Sequence, residues 1–292
     1  MTARVDQGFP ASIRERNRSD RIVRRACAAA AVVALAPLVL VAVHALWLGA
    51  PHLTLDFFLN APSSDPASAG IRPLLLGTVW MVALVGLVAV PLSVGSAVYL
   101  DAYFPQRRLA RILGSNIGYL ASVPSVVYGL VGLAVFARGA AMGHTLLAGA
   151  ATLTLLVLPL LTRATREVVR AVPRAQVEAA YALGATPFQA IRFAVLPGSA
   201  GQIAAASLRA LSRAAGETAP LVVLGAFTFI ALNVTSPLDP LTALPVQVFE
   251  WTESTDARFR GLAGAAALVL LAGTLLLNAG ATLVHGSSIG RR

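Results

Sequence analysis

The chain has 292 residues, of which 57% are hydrophobic and only 12% charged, with a net charge of +10. Ordinary soluble domains carry roughly 25% charged residues, so a soluble globular fold is excluded. Apolar runs long enough to cross about 30 Å of hydrocarbon recur along nearly the whole sequence, which predicts an all-α, polytopic membrane protein.

Residues 1–26 form a basic head, RERNRSDRIVRR at its centre. The first span is expected at Cys27 to Leu48. Its apolar run of about 22 residues exceeds the 7–15 of a cleavable signal, so it reads as an uncleaved anchor, followed by an outer loop to residue 72. Cys27 follows Arg24, Arg25 and Ala26 and no apolar run, which argues against a lipoprotein signal. Further spans are expected at Leu74 to Leu100, Ile117 to Ala137, His144 to Thr162, Ser199 to Leu232 and Leu262 to Val284, making six. Within the third, SVPSVVYGLVG combines Pro124 with small residues and Tyr128, a pattern suited to close helix packing. The segment Asn233 to Gly261 is too polar to span, and its apolar centre LPVQVF either dips into the interface or docks a periplasmic partner. Residues 287–292 form a short tail.

Orientation comes from arginine, because the chain has no lysine. An N-inside threading puts seven arginines before Cys27, three in DAYFPQRRLARILG, five between Thr162 and Ser199 and two at the C-terminus on the inner side, against four outside. The positive-inside rule then places both termini in the cytoplasm and accounts for the net charge without nucleic acid.

Absences narrow the chemistry. Without lysine there is no P-loop and no Schiff base. A single cysteine and four scattered histidines offer no metal framework, and no GxSxG elbow occurs. An enzyme using Glu217 as general acid or base finds no partner nucleophile.

Two stretches carry the function. The first is LRALSRAAGETAPLVVLGAF, Leu208 to Phe227, where Arg209, Arg213 and Glu217 recur every four residues in a lipid-compatible run. On a helix they share one face, within about 80° and about 12 Å of axis. Each charge at a bilayer centre costs about 2.5–3.5 kcal/mol on insertion scales, so neighbouring helices, water or one another must compensate them. They are either a translocation face or a buried ion network, and Arg209 also lies low enough to snorkel to the interface, since the run would be about 51 Å long as a straight helix. Pro220 should break the helix around GETAP, leaving backbone and hydroxyl groups of Gly216 and Thr218 open to a solute if the break lines a cavity. The second stretch is the inner segment 163–198. It is basic and helix-compatible to Pro173, with a second helical piece from Gln176 to Leu183 and a turn at Gly184, Ala185 and Thr186. A helix from Pro187, capped by Thr186, follows, with Phe188, Ile191 and Val195 on one face. This makes an apolar-and-basic knob of a shape that fits a groove on another protein.

EAAYALGATPFQAIRFAVLP resembles the EAA loop of permease subunits in bacterial ABC importers: Glu178, Ala179, Ala180, Gly184, Leu196 and Pro197 match, and Ala194 stands where the pattern has isoleucine. The resemblance implies a type I importer (MetI-like) permease core over residues 73–286, with 163–198 as its coupling loop and Glu178, Ala179, Ala180, Gly184, Ala185 and Phe188 facing the ATPase. SRAAGETAPL, SVPSVVYGLVGLAVF and LPVQVFEW are similar to phosphate-importer permeases of the PstA type. That implies a bacterial inner-membrane subunit with no cofactor of its own. Its partners would be a PstC-like permease, two PstB-like ATPase subunits that bind ATP, a PstS-like phosphate-binding protein and membrane lipid. Arginine suits such a pathway, because guanidinium is always charged and holds an oxyanion through paired hydrogen bonds. With Glu217 ionised the trio carries +1, which attracts an anion without trapping it. Another oxyanion, sulfate or molybdate, and a role chiefly in signalling phosphate status remain as alternatives.

Overall fold

The computed structural model describes residues 13–103, 108–225 and 234–289. In lipid, backbone polar groups must be satisfied within the chain, and these apolar stretches do so as helices. α1 (Ile13–Gly49), α2 (Leu55–Leu59) and α3 (Arg72–Val98) lead off, with Pro73 in the first turn of α3, where a missing N–H costs nothing. α1 stays exposed along its membrane length and meets α12 (Phe259–Ile289) where Gly49 and Gly264 let the two backbones touch.

After α3 the chain makes a π turn over Tyr99–Tyr103, and α4 (Arg108–Leu120) and α5 (Ser125–Gly132) follow, α5 extended by a second π turn to Gly139. The third expected span is not the straight helix from Ile117 to Ala137. Its two parts meet at 98°, because Pro124 takes an extended ψ of 137° at the N-terminus of α5 and stops α4 from continuing.

α6 (Leu146–Arg170) is the central helix, capped by the Thr145 side chain accepting from Ala148 N at 3.3 Å. It runs eight residues past the expected end at Thr162, so the basic stretch continues the span instead of forming a separate piece. Beyond Pro173 come α7 (Arg174–Ala182), α8 (Pro187–Ala190), a π turn Ile191–Val195 and, without interruption, α9 (Leu196–Gly216). Then follow α10 (Ala219–Leu224), α11 (Leu244–Glu253) and α12.

Among the described residues, four helices are long and apolar enough to cross a membrane, five if the bent α4–α5 pair is counted as one span. The remaining expected span is α9 with α10; α9 alone is about 32 Å long, and residues 226–232 of that expectation lie outside the described residues. One core packs α3, α6 and α10 through Met81, Val85, Leu153, Val157, Leu221 and Leu224. A second, at the other end, joins Phe57, Ile71, Leu74, Trp251 and Phe259, with the Trp251 and Phe259 rings stacked 6.1 Å apart. α11 belongs to that core. Leu244, Pro245, Val246 and Trp251 are buried, and Leu244 N donates to Thr78 Oγ1 at 2.9 Å, so the apolar centre of 233–261 packs on its own bundle.

Candidate functional site

The charged face lies on α9. Ser199, Ile203, Ala205, Ser207, Ser212, Ala214 and Ala215 turn inward, so the positions between them, Arg209 and Arg213, turn out of the chain's own packing. The inward face is pinned by polar contacts that the sequence does not advertise. Ser212 Oγ donates to Thr274 O at 3.1 Å, and Asn278 Nδ2 donates to Ser212 Oγ at 2.9 Å. These bonds fix the rotation of α9 against α12, and with it the direction of the arginines.

Arg213 Nε donates to Glu217 Oε1 at 3.3 Å, the pair expected at four-residue spacing. The Arg213 side chain is 58% exposed and that of Glu217 16%, so the carboxylate is tucked in and the guanidinium projects. Arg209, one turn below, is exposed with no ion-pair partner among the described residues. The trio is therefore an open face and not a network buried within this chain.

The helix breaks where GETAP predicts. α9 ends at Gly216, Glu217 is extended (ψ 120°), and α10 starts at Ala219 with Pro220 in its first turn. Proline thus acts less by kinking a continuous helix than by fitting the start of a new one. The end of α9 leaves carbonyls without intrahelical partners. Thr218 gives its own carbonyl to Leu221 N and Val222 N, and nothing stands within 4 Å of where a Gly216 side chain would begin. The short segment is held from both sides: Gly129 of α5 lies against the Pro220 backbone, and His144 Nδ1 meets Leu224 O beside Gly225, whose φ of +100° ends the helix.

The knob formed by α7 and α8 sits at the arginine-rich end. Gly184 turns the chain at φ +82°, and Thr186 and Gln189 form a reciprocal capping box, Thr186 N to Gln189 Oε1 at 2.8 Å and Gln189 N to Thr186 Oγ1 at 3.3 Å. Glu178, Ala179 and Gly184 are exposed, and Ala180 and Ala185 partly so. Phe188 does not share a face with Ile191 and Val195. The two aliphatic residues are buried at the base, whereas Phe188 is exposed with Leu183 and Phe193. Leu183 is 90% exposed, an apolar surface that the described residues leave uncovered.

Sequence reasoning missed one ionic cluster. Asp101, in the π turn that follows α3, accepts from Arg166 Nε at 2.6 Å and from Arg170 Nη2 at 2.7 Å. A lone acid at the end of a span calls for a partner, but the sequence does not say which.

The sequence model of the family described as "binding-protein-dependent transport system inner membrane component" matches residues 89–286. The chain belongs to this family. The permease is 32% identical to "phosphate transport system permease protein PstC 2" of Mycobacterium tuberculosis over 73% of its own length and 75% of the relative's. To "phosphate transport system permease protein PstA" of Yersinia pestis the figures are 31%, 79% and 77%. Its fold is that of a chain in the inward-facing MetNI methionine ABC transporter, at 16% identity and a TM-score of 0.61 over 77% of the permease and 99% of that chain. The all-α, MetI-like permease fold expected from the sequence is thus established, as is its place as a multi-pass ABC transporter permease.

Proposed function

We propose that this permease is one of two membrane subunits of an ATP-driven importer of inorganic phosphate, and that Arg209, Arg213 and Glu217 line its half of the pathway. The carrying observation is the Arg213–Glu217 pair at the broken end of α9, on a face that the described residues leave open. A second permease facing it would enclose the pathway, with the guanidinium groups binding the oxyanion weakly enough to release it. Gly216, Thr218 and Pro220 supply the break through which it passes.

The arginine-rich end is cytoplasmic in this reading, with both termini there and the chain in a bacterial inner membrane. The knob, including Glu178, Ala180, Ala185 and Phe188, seats in an ATPase subunit that binds and hydrolyses ATP, and an extracytoplasmic binding protein delivers phosphate at the opposite end. Relatives named for phosphate transport support the substrate. They include both the PstC and PstA types at similar identity; SRAAGETAPL and LPVQVFEW favour the PstA type, which co-purification with a PstC-like partner tests.

The substrate test is ATP-dependent uptake of labelled phosphate into vesicles holding the complete complex, with unlabelled sulfate or molybdate as competitor. Uptake resistant to both supports phosphate; transport of sulfate or molybdate in its place leaves the permease and removes the substrate.

A further inference from the structure

α4 separates two clefts. On the α6 side, Arg163, Arg166, Arg170 and Glu167 face Ser115 and Ser122 across an open cleft of about 650 Å³. The Arg166 guanidinium lies against α4 at Gly114, where a side chain would strike it, so the glycine lets the floor of the cleft close. On the α3 side is an apolar cleft of about 510 Å³ lined by Leu92, Tyr99, Leu100, Leu113 and Leu120.

Geometry sets the level of these clefts. Residues 112–120 of α4 lie at 98° to the segment 125–139. If the latter crosses the bilayer, α4 lies along the membrane surface, with Ile112, Leu113, Tyr119 and Leu120 exposed to hydrocarbon and headgroups. Charge sets the ligand. Glu167 pairs with Arg163 at 3.4 Å, and Asp101 pairs with Arg166 and Arg170, so three guanidinium groups meet two carboxylates and an excess of +1 remains. Arg163 and Arg170 are 65% and 60% exposed, with donors left to give.

We propose that this cleft binds the phosphodiester headgroup of an anionic glycerophospholipid, whose acyl chains lie against the apolar edge of α4. A singly charged headgroup balances the excess. The apolar rim and in-plane helix favour a lipid over free inorganic phosphate, which would gain nothing from either. This site is separate from the proposed pathway on α9 and does not depend on the transported substrate.

The test is native mass spectrometry of the purified full-length chain, titrated in detergent with dioleoyl phosphatidylglycerol or phosphatidylcholine. Wild type should prefer phosphatidylglycerol by about fivefold or more, and Arg163→Gln should lower that preference about fivefold, the worth of one arginine near a membrane surface. Arg163→Lys should retain most of it, and an unchanged melting temperature in Arg163→Gln shows that the fold is intact. The basic head is the competing source of attraction, so Arg24→Gln/Arg25→Gln should leave the preference in place. The proposal is overturned by equal binding of the two lipids, by displacement with millimolar inorganic phosphate, or by loss of preference in the head variant but not in Arg163→Gln.

Discussion

Asp101 and Arg166, 65 positions apart, meet through two parallel hydrogen bonds, Nε to Oδ2 at 2.6 Å and Nη2 to Oδ1 at 3.1 Å. The side chains are 5% and 11% exposed, and the pair ties the turn after α3 to the end of α6. Removing one partner strands a buried charge, so Asp101→Ala should lower unfolding free energy by about 3–5 kcal/mol. Arg170, on the same carboxylate but 60% exposed, should cost under about 1 kcal/mol as Arg170→Gln. Thermal unfolding of the purified chain in detergent compares the two.

Gly129 and Pro220 set the position of the broken segment. A Cβ at residue 129 would lie 2.8 Å from both Cα and O of Pro220, which are backbone atoms that cannot rotate away. Gly129→Ala should therefore push α10 off α5, costing about 1–3 kcal/mol, and slow transport more than a surface substitution of equal stability cost. Melting temperature and uptake, measured together, separate the two effects.

The knob should behave as an interface. Phe188→Asp and Leu183→Asp alter side chains that the described residues leave uncovered, so stability should change by no more than about 0.5 kcal/mol. Co-purification of the ATPase should nevertheless fall sharply. Full retention of the ATPase with both variants would remove the coupling role.

At the opposite end, Asp239 accepts backbone N–H bonds from Thr235 at 2.6 Å and Ser236 at 2.8 Å, which hold its carboxyl below the usual carboxylate range. Its folded value is depressed, so its stabilising contribution is present in full above the unfolded value near 3.9 and is lost as pH falls through the lower folded one. The same turn gives Asp239 O to Leu146 N at 2.9 Å, tying it to the start of α6. Asp239→Asn should flatten the acid limb of a stability-versus-pH profile and leave the neutral region nearly parallel to wild type.

How much of this was legible in the sequence follows from range. Spans, caps and the GETAP break depend on residues within a turn or two of one another, and composition and proline placement reveal them. Gly184, Thr186 and Gln189 specify their turn and cap locally, and the structure forms both. The bend at Pro124 was as local, but the apolar run through it concealed the change of direction. Phe188 went astray because helical spacing gives the face a residue lies on but not whether neighbouring elements cover it, and α8 projects Phe188 beyond the packing that buries Ile191 and Val195. Ser212 with Asn278 and Asp101 with Arg166 join residues more than sixty positions apart, and a single sequence does not pair them. In the charged stretch, spacing alone pairs Arg213 with Glu217; which way the pair faces is decided by the packing of α9 against α12.

That orientation makes Arg213 the point on which the transport account turns. The measurement is ATP-dependent phosphate uptake by vesicles carrying the complete complex, wild type against Arg213→Ala, with assembled complex quantified in each. A fall of about tenfold or more at equal assembly is the predicted result. Uptake at the wild-type rate would contradict the account and leave the charged face of α9 as scaffold.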